Sequence, residues 1–167
     1  MSLSRSSVHS MVTIMSSSSV YERSSDAALV VDDLYVEIPA RSYEAKYLHY
    51  ETLSIFKSAK IVVWMEIIGF GKEFGIRLPK FYNARKLRGK PGKSGKFSVG
   101  RRSNFMMDFC SLFPEYGGRR MDRLPMSYFK DQVFIITVKT VTKNFEQKSI
   151  PSALRYSVIE TIERSCV

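Results

Sequence analysis

Residues 60–82 read "KIVVWMEIIGFGKEFGIRLPKFY" and predict a β-hairpin. The first arm is rich in branched and aromatic residues, which favour strands. The glycines of "GFGKEFG" supply a turn, and "IRLPKFY" returns with the two-residue period of a half-buried strand. Pro79 in the returning arm indicates an edge position or a bulge, because proline cannot donate to a strand ladder. The hairpin therefore predicts an antiparallel β-sheet.

Other segments predict further strands. "LYVEIPA" (34–40) alternates apolar and polar residues, as strands with one buried face do. "AKYLHYETLSIF" (45–56) suits a strand by its aromatic content and a helix by its length. "DQVFIITVKTVTK" (131–143) and "LRYSVIETI" (154–162) are rich in β-branched residues and predict the last two strands.

One short helix is predicted over residues 103–113, where apolar residues recur at helical spacing. Ser103 or Asn104 can cap its start, and Pro114 ends it. A five-stranded oligonucleotide/oligosaccharide-binding (OB) barrel places its helix between the third and fourth strands, which is the position found here. We therefore expect residues 26–167 to form a single, mainly β domain, an OB-fold-like antiparallel β-barrel with one capping helix. An α+β fold is the alternative.

The first 25 residues differ in composition from the rest. Residues 1–25 contain eleven serines and few residues that could enter a core, which predicts a disordered tail. The longest apolar run, residues 60–71, includes Glu66 and is shorter than the ~20 residues of a membrane helix. We therefore expect a soluble protein without membrane contact.

Cysteine and histidine are too few for a disulfide framework or a zinc site. The chain has two cysteines, Cys110 and Cys166, and two histidines, His9 and His49. Their spacing matches no zinc motif. Free thiols indicate a reducing compartment, so we expect a cytoplasmic protein with no metal or cofactor, and Cys110 in the core.

The net charge of +10 comes from one segment. Residues 72–102 hold eleven lysines and arginines against a single acid, Glu73, whereas the other residues hold fifteen charges of each sign. A concentrated excess of positive charge attracts phosphates. Glycines and Pro91 discourage regular structure among these cations, so we expect a flexible basic loop at residues 85–102, either a mobile arm or the tip of a hairpin. The alternative is a solvated loop that only improves solubility.

The basic loop supplies candidate nucleic-acid-binding residues. Lys90, Lys93 and Lys96 repeat every third residue with small residues between them, so each ammonium can reach a separate phosphate. Arginines can hold phosphate with two hydrogen bonds. The predicted phosphate-binding residues are Arg85, Lys86, Arg88, Lys90, Lys93, Lys96, Arg101 and Arg102.

Two aromatic residues are candidates for stacking on unpaired bases, which adds to the affinity for single strands. Trp64 lies on the opposite alternation from Val63 and Met65, so it faces outward if those residues face the core. Alternatively, the N-terminal segment or a partner covers it. Tyr82 adjoins the basic loop and alternates with Phe81, so at most one of the two faces out.

No sequence feature supports catalysis. Gly92-Lys93-Ser94 matches the end of a nucleotide-binding P-loop, but Leu87 occupies the position of its first glycine. Extended chain follows, where a P-loop requires a helix, so we reject an NTPase. His49 is the only histidine in the predicted folded part and has no evident catalytic partner. We expect a protein that is not an enzyme.

A resemblance spans about residues 45–163 and is carried by "FGIRLPKFYNARKL", "GKSGKFSVGRRSNFMMDFCSLF" and "LPMSYFKDQVFIITVKTVTKNFEQKSIPSALRYSVIETI". They resemble an uncharacterised group of proteins from bacterial phages, plasmids and integrative elements. The layout is similar to that of phage recombination and replication accessory proteins with an OB barrel. Shared features are a hairpin with the pattern G-x-x-x-x-G, a short apolar helix, and the pattern L-x-x-x-F-K before a β-rich strand. This chain departs from both patterns: Gly71 and Gly75 are four apart instead of five, and Leu124 to Lys130 has one extra residue.

The resemblance and the charge pattern together predict non-catalytic binding of single-stranded DNA or RNA, in replication or recombination of a phage or other mobile element. Further candidate partners are replication or recombination proteins of the host or the element, and a second copy of the chain in an oligomer. The alternative is a protein-interaction module that recruits or inhibits a host complex through the same basic loop, because an acidic protein surface attracts the same lysines. An enzyme would need acids converging beside the basic surface.

Overall fold

The computed structural model describes residues 35–116 and 124–165, and they form a mainly antiparallel β-structure with one α-helix. The strands and the helix are β1 (Ser42–Ile55), β2 (Ser58–Ile67), β3 (Arg77–Asn83), β4 (Lys86–Arg88), β5 (Gly92–Lys93), β6 (Lys96–Ser98), α1 (Asn104–Leu112), β7 (Val133–Val141) and β8 (Tyr156–Arg164). Among these described residues, no helix has the length and apolarity required to cross a bilayer. The predicted tail at residues 1–25 lies outside the described residues.

Most of the predicted elements are confirmed. The hairpin of residues 60–82 is β2 and β3, and the ambiguous segment 45–56 belongs to a strand, β1. Helix α1 begins after Ser103, whose hydroxyl accepts a hydrogen bond from the amide of Met106 at 3.2 Å. This cap satisfies one of the amides that a helix start leaves without an intrahelical partner.

Two predictions about local structure were wrong. Residues 35–39, within the predicted first strand, form no strand; they run beside β8, where the amide of Ser157 donates to the Val36 carbonyl at 2.9 Å. Isolated contacts of this kind replace the regular ladder that the alternation predicted. Cys110 is exposed, because α1 buries Phe105, Phe109 and Leu112 on its other side.

The main sheet has the strand order β3-β2-β1-β7-β8, with every neighbouring pair antiparallel. Strand β1 carries a bulge at Leu48, between Tyr47 and His49. Bulges bend a strand and increase its twist. On one edge of β1, the part before the bulge pairs with β7, and the part after it pairs with β5. Strand β1 thus connects the main sheet to residues 85–102, which contain β5.

Helix α1 packs on the core face of this sheet. Phe105, Phe109 and Phe113 are fully buried, and Phe113 contacts Phe129 and Phe134 at ring distances of 5.0 and 6.4 Å. Burying a phenylalanine stabilises a fold by about 2–3 kcal/mol. The aromatic cluster therefore fixes the helix, and with it the chain that leaves the basic segment.

Strands β3 and β8, the two edges of the sheet, lie beside each other and run in the same direction. No backbone pairing joins them in the described part of the chain, so the sheet is not closed into the predicted barrel. A side chain spans the seam instead: Lys80 Nζ donates to the Glu160 carbonyl at 2.8 Å. Glu160 is the extra residue at a register shift in β8.

Candidate functional site

Residues 85–102 fold into a small hairpin with paired strands. Strand β4 pairs with β6, and β5 at the tip pairs with Glu51 and Thr52 of β1. The amide of Ser94 adds a hydrogen bond to the Tyr50 carbonyl at 3.0 Å. We call residues 85–102 the basic hairpin. Its tip is docked on the sheet by backbone contacts.

Glycines make this docking possible. Thr52 is buried, and its hydroxyl bonds to both the amide and the carbonyl of Gly92, at 3.2 and 3.3 Å. A β-carbon on Gly95 would lie 1.9 Å from the Thr52 hydroxyl oxygen, a distance that no real β-carbon shows. Gly92 itself has a φ of +146°, which favours glycine. The glycines that suggested flexibility therefore permit close packing.

All eight predicted phosphate-binding side chains belong to exposed residues: Arg85, Lys86, Arg88, Lys90, Lys93, Lys96, Arg101 and Arg102. None of them forms an ion pair with a carboxylate of the described residues. By contrast, Arg77 and Lys80, earlier in the same cationic segment, pair with Glu66 and Asp108 at 3.4 and 2.8 Å. The structure thus concentrates the uncompensated positive charge in the basic hairpin.

Two of these cations face each other across the hairpin. Arg88 and Lys96 are directly opposite in the β4–β6 register. Like charges at such positions destabilise a strand pair. A bound anion between them would remove this repulsion, so the arrangement favours an anionic ligand.

A cleft of about 600 Å³ opens beside the hairpin. Arg88, Lys96 and Arg101 contribute its positive charge. Its remaining lining is largely aromatic and apolar: Tyr50, Phe97, Val99, Met106, Leu124 and Met126, with Gly95 and Ser98. Positive charge beside aromatic rings is the combination that holds single-stranded nucleic acid.

Tyr50 and Phe97 form the aromatic wall of the cleft. Their ring centres lie 5.7 Å apart in an edge-to-face arrangement, and Phe97 also packs against Phe105 at 5.4 Å. A tyrosine is protonated at neutral pH, and burial raises the pKa of Tyr50 further, so its hydroxyl can donate a hydrogen bond. Sequence reasoning missed both residues. Phe97 had a signal, because it lies within the basic segment, whereas Tyr50 had none.

Trp64 does not occupy the predicted stacking position. It faces away from the main core, as its alternation predicted, but it is only 7% exposed. Tyr35 and His49 lie against it at ring distances of 6.1 and 6.4 Å, and its indole N–H donates to Glu51 at 2.7 Å. Trp64 is not exposed because Tyr35, in the chain preceding β1, covers this face, as the alternative proposed.

Tyr82 is also not an exposed platform. It is 4% exposed, and its hydroxyl donates to Asp108 Oδ2 at 2.8 Å. Burial, together with the Asp108 carboxylate, raises the pKa of Tyr82. Tyr82 faces the core because it shares an alternation with Leu78, so Phe81 is the member of the pair on the other face.

The described residues contain no group of three or more histidine, cysteine, aspartate or glutamate side chains that could hold a metal ion. Comparisons with protein-family models, with curated proteins and with solved structures found no significant match.

Proposed function

We propose that this protein binds single-stranded nucleic acid, without catalysing a reaction, through the basic hairpin and the adjacent cleft. One observation carries the proposal: the basic hairpin holds eight exposed cations without carboxylate partners among the described residues, and three of them, Arg88, Lys96 and Arg101, line a cleft walled by Tyr50 and Phe97. Phosphates neutralise the cations, and a base fits against the aromatic wall. Because the cations contact the phosphate backbone of the nucleic acid, we expect little preference for base sequence.

The strand arrangement supports the same proposal. We interpret the sheet as an OB-type barrel open at one seam: its order, its parallel edges β3 and β8, and the helix before β7 agree with that fold. Such barrels commonly bind oligonucleotides. A cytoplasmic accessory role in replication or recombination of a phage or other mobile element is part of the proposal, and it depends on the sequence resemblance alone.

The direct test is a titration with a fluorescent oligothymidine at several salt concentrations. Each phosphate contact contributes about −0.7 to the slope of log K against log salt for single strands. Replacing Arg88, Lys96 and Arg101 with alanine removes three contacts, so the slope should become shallower by about 2. Wild-type binding that is independent of salt would overturn the proposal.

A matched variant controls for the loss of net charge. Lys46, Lys130 and Lys139 are exposed lysines outside the basic hairpin, and their triple alanine variant also loses three charges. Its slope should remain within about 0.5 of the wild-type value if local contacts dominate. Equal effects in both variants would indicate non-specific attraction by the net charge.

The alternative of a protein-interaction module has its own outcome in this assay. Polyglutamate offers the charge of an acidic protein surface without bases to stack. Oligothymidine should displace labelled oligonucleotide at a much lower charge concentration than polyglutamate does. Equal displacement by both polymers would favour an acidic protein partner.

A further inference from the structure

Two exposed phenylalanines that do not line the cleft contact each other. Phe56 is 77% exposed and Phe145 is 72% exposed, yet their ring centres lie 4.9 Å apart. Phe56 belongs to the β1–β2 turn and Phe145 to the β7–β8 connection, which is remote in sequence. We call these two residues the aromatic pair. Single exposed apolar side chains are normal, but neither the core nor the cleft explains why two loops bring rings together in solvent.

The turn that carries Phe56 has an unfavourable sequence for its shape. Phe56 and Lys57 have φ values of 47° and 63°, which define a two-residue turn in the left-handed region. Asn-Gly is strongly preferred there, because side chains other than those of Asn, Asp or Gly are strained. Strained residues that persist in a fold often serve function. A phenylalanine at this position is therefore not explained by turn stability.

The loop that carries Phe145 is held by hydrogen bonds. Asn144 Oδ1 accepts from the amides of Glu146 and Lys148, each at 2.9 Å, and the Asn144 amide donates to the Lys148 carbonyl at 2.9 Å. The amide of Ile150 closes the loop on the Thr142 carbonyl at 2.8 Å. The exposure of Phe145 is thus built into a defined loop, so little conformational entropy is lost when a ligand stacks on its ring.

The surroundings of the aromatic pair are cationic. Lys57 adjoins Phe56, and Lys143 and Lys148 lie in the loop of Phe145. Lys148 pairs with Glu146 at 2.7 Å, whereas Lys57 and Lys143 have no carboxylate partner among the described residues. This charge favours a polyanion over an apolar protein surface as the occupant.

The aromatic pair is also close to the basic hairpin. Phe56 lies four residues along the chain from Thr52, which pairs with the hairpin tip at Gly92. Four residues span at most about 14 Å. A single-stranded ligand in the cleft therefore needs only a few nucleotides to reach Phe56.

We propose that the aromatic pair is a second contact for the same single-stranded nucleic acid, at which one base stacks on the exposed face of Phe56 or Phe145. The inference rests on the proposed function, because it extends the ligand from the cleft past the hairpin tip. Stacking on phenylalanine is sequence-tolerant, since every base has an aromatic face. The aromatic pair therefore determines the minimum length of nucleic acid that contacts both sites.

The test compares two oligothymidines, one of about 4 and one of about 12 nucleotides, which bracket the range for one small domain. Replacing Phe56 and Phe145 together with alanine should weaken binding of the longer strand about tenfold. Binding of the shorter strand, which the cleft holds alone, should not change. The control variant replaces Phe70 and Phe74, two exposed phenylalanines of the β2–β3 turn, and should bind both strands as the wild type does.

A second variant separates stacking from folding. Asparagine is favoured in the left-handed turn, so Phe56→Asn should raise or maintain the unfolding temperature while weakening binding of the longer strand. If the alanine and asparagine variants bind the longer strand as tightly as the wild type, the aromatic pair is not a contact, although salt-dependent wild-type binding would leave the proposed function standing. If wild-type protein binds neither strand, both proposals are wrong.

Discussion

Lys80 and Lys96 belong to the same cationic segment, and the structure uses them in opposite ways. The Lys80 side chain is 9% exposed, pairs with Asp108 and spans the seam between β3 and β8. Lys96 is exposed, faces Arg88 and has no carboxylate partner in the described residues. The positive charge at the seam is therefore neutralised within the fold, whereas the positive charge of the basic hairpin stays exposed to solvent.

The neighbours of each lysine explain the difference. Lys80 lies with Leu78 and Tyr82 on the face of β3 that points to the core. Its positive charge can therefore be buried only if nearby groups pair with it. Asp108 of α1 provides a carboxylate, and the bulged Glu160 provides a carbonyl. A buried charge without such partners costs several kcal/mol. The basic hairpin has no comparable partner because its cations point into solvent.

The largest expected effect comes from Lys80→Met. The substitution removes the buried member of the ion pair with Asp108, and with it the one side-chain hydrogen bond between β3 and β8 in the described residues, so stability should fall by about 3 kcal/mol. Chemical denaturation followed by Trp64 fluorescence measures this change.

Lys96→Met is the control, because it removes an exposed lysine without a carboxylate partner. Stability should change by less than about 0.5 kcal/mol. Binding should respond in the reverse order: Lys96→Met weakens oligonucleotide affinity, and folded Lys80→Met retains it. Similar destabilisation by the two variants would contradict the division of roles.

Gly95→Ala tests whether the hairpin tip is docked in solution. The added β-carbon would collide with the Thr52 hydroxyl, so we expect a stability loss of about 1–2 kcal/mol from overpacking. Hydrogen exchange at the Ser94 amide should accelerate, because its bond to the Tyr50 carbonyl is lost. Gly100→Ala is the matched control, since no atom lies within 4 Å of a β-carbon there. Unchanged exchange in Gly95→Ala would mean that the tip is not held as described.

The smallest effect concerns His49. Burial, followed by the positive charge of Lys93, lowers the pKa of His49 from 6.5, while Glu51 acts in the opposite direction and Arg77 lowers it slightly further. Lys93→Ala should therefore raise the pKa of His49, and Lys90→Ala should leave it unchanged. Nuclear magnetic resonance titration of the ring measures this, with His49→Gln assigning the signal.

The sign of the accompanying stability change follows from the same shift. A histidine with a lowered pKa in the folded state binds protons more readily when the chain is unfolded, so its contribution destabilises the fold as the pH falls below 6.5. Lys93→Ala should reduce this loss. If the pKa of His49 is the same in Lys93→Ala and the wild type, Lys93 is not held next to β1 in solution, and the hairpin tip is not docked as described.

Local patterns predicted the parts of the fold that local physics determines. The β2–β3 hairpin, the capped helix and strands β7 and β8 all follow from periodicity, β-branched residues and a serine cap. The seam was not predictable, because it depends on a contact between Lys80 and Glu160, which are 80 residues apart. A closed barrel was the simplest interpretation of the strand order, but it required a backbone ladder that is not formed.

The sequence predicted which charged residues belong to the candidate site, but not which aromatic residues line it. All eight predicted cations are exposed, as phosphate binding requires. The aromatic residues were misassigned because alternation gives the face of a strand but not what covers it. Tyr35 covers Trp64, and Tyr82 is buried in the core. Tyr50 lines the cleft because it follows the bulge at which the register of β1 changes.

The docking of β5 also protects β1. After the bulge at Leu48, β1 leaves β7, and an uncovered edge of this length would be a template for the strand of another molecule. The backbone of Gly92 and Lys93 occupies that edge, while the lysines around it repel a second copy of the chain. The same short hairpin thereby lowers the risk of edge-to-edge aggregation.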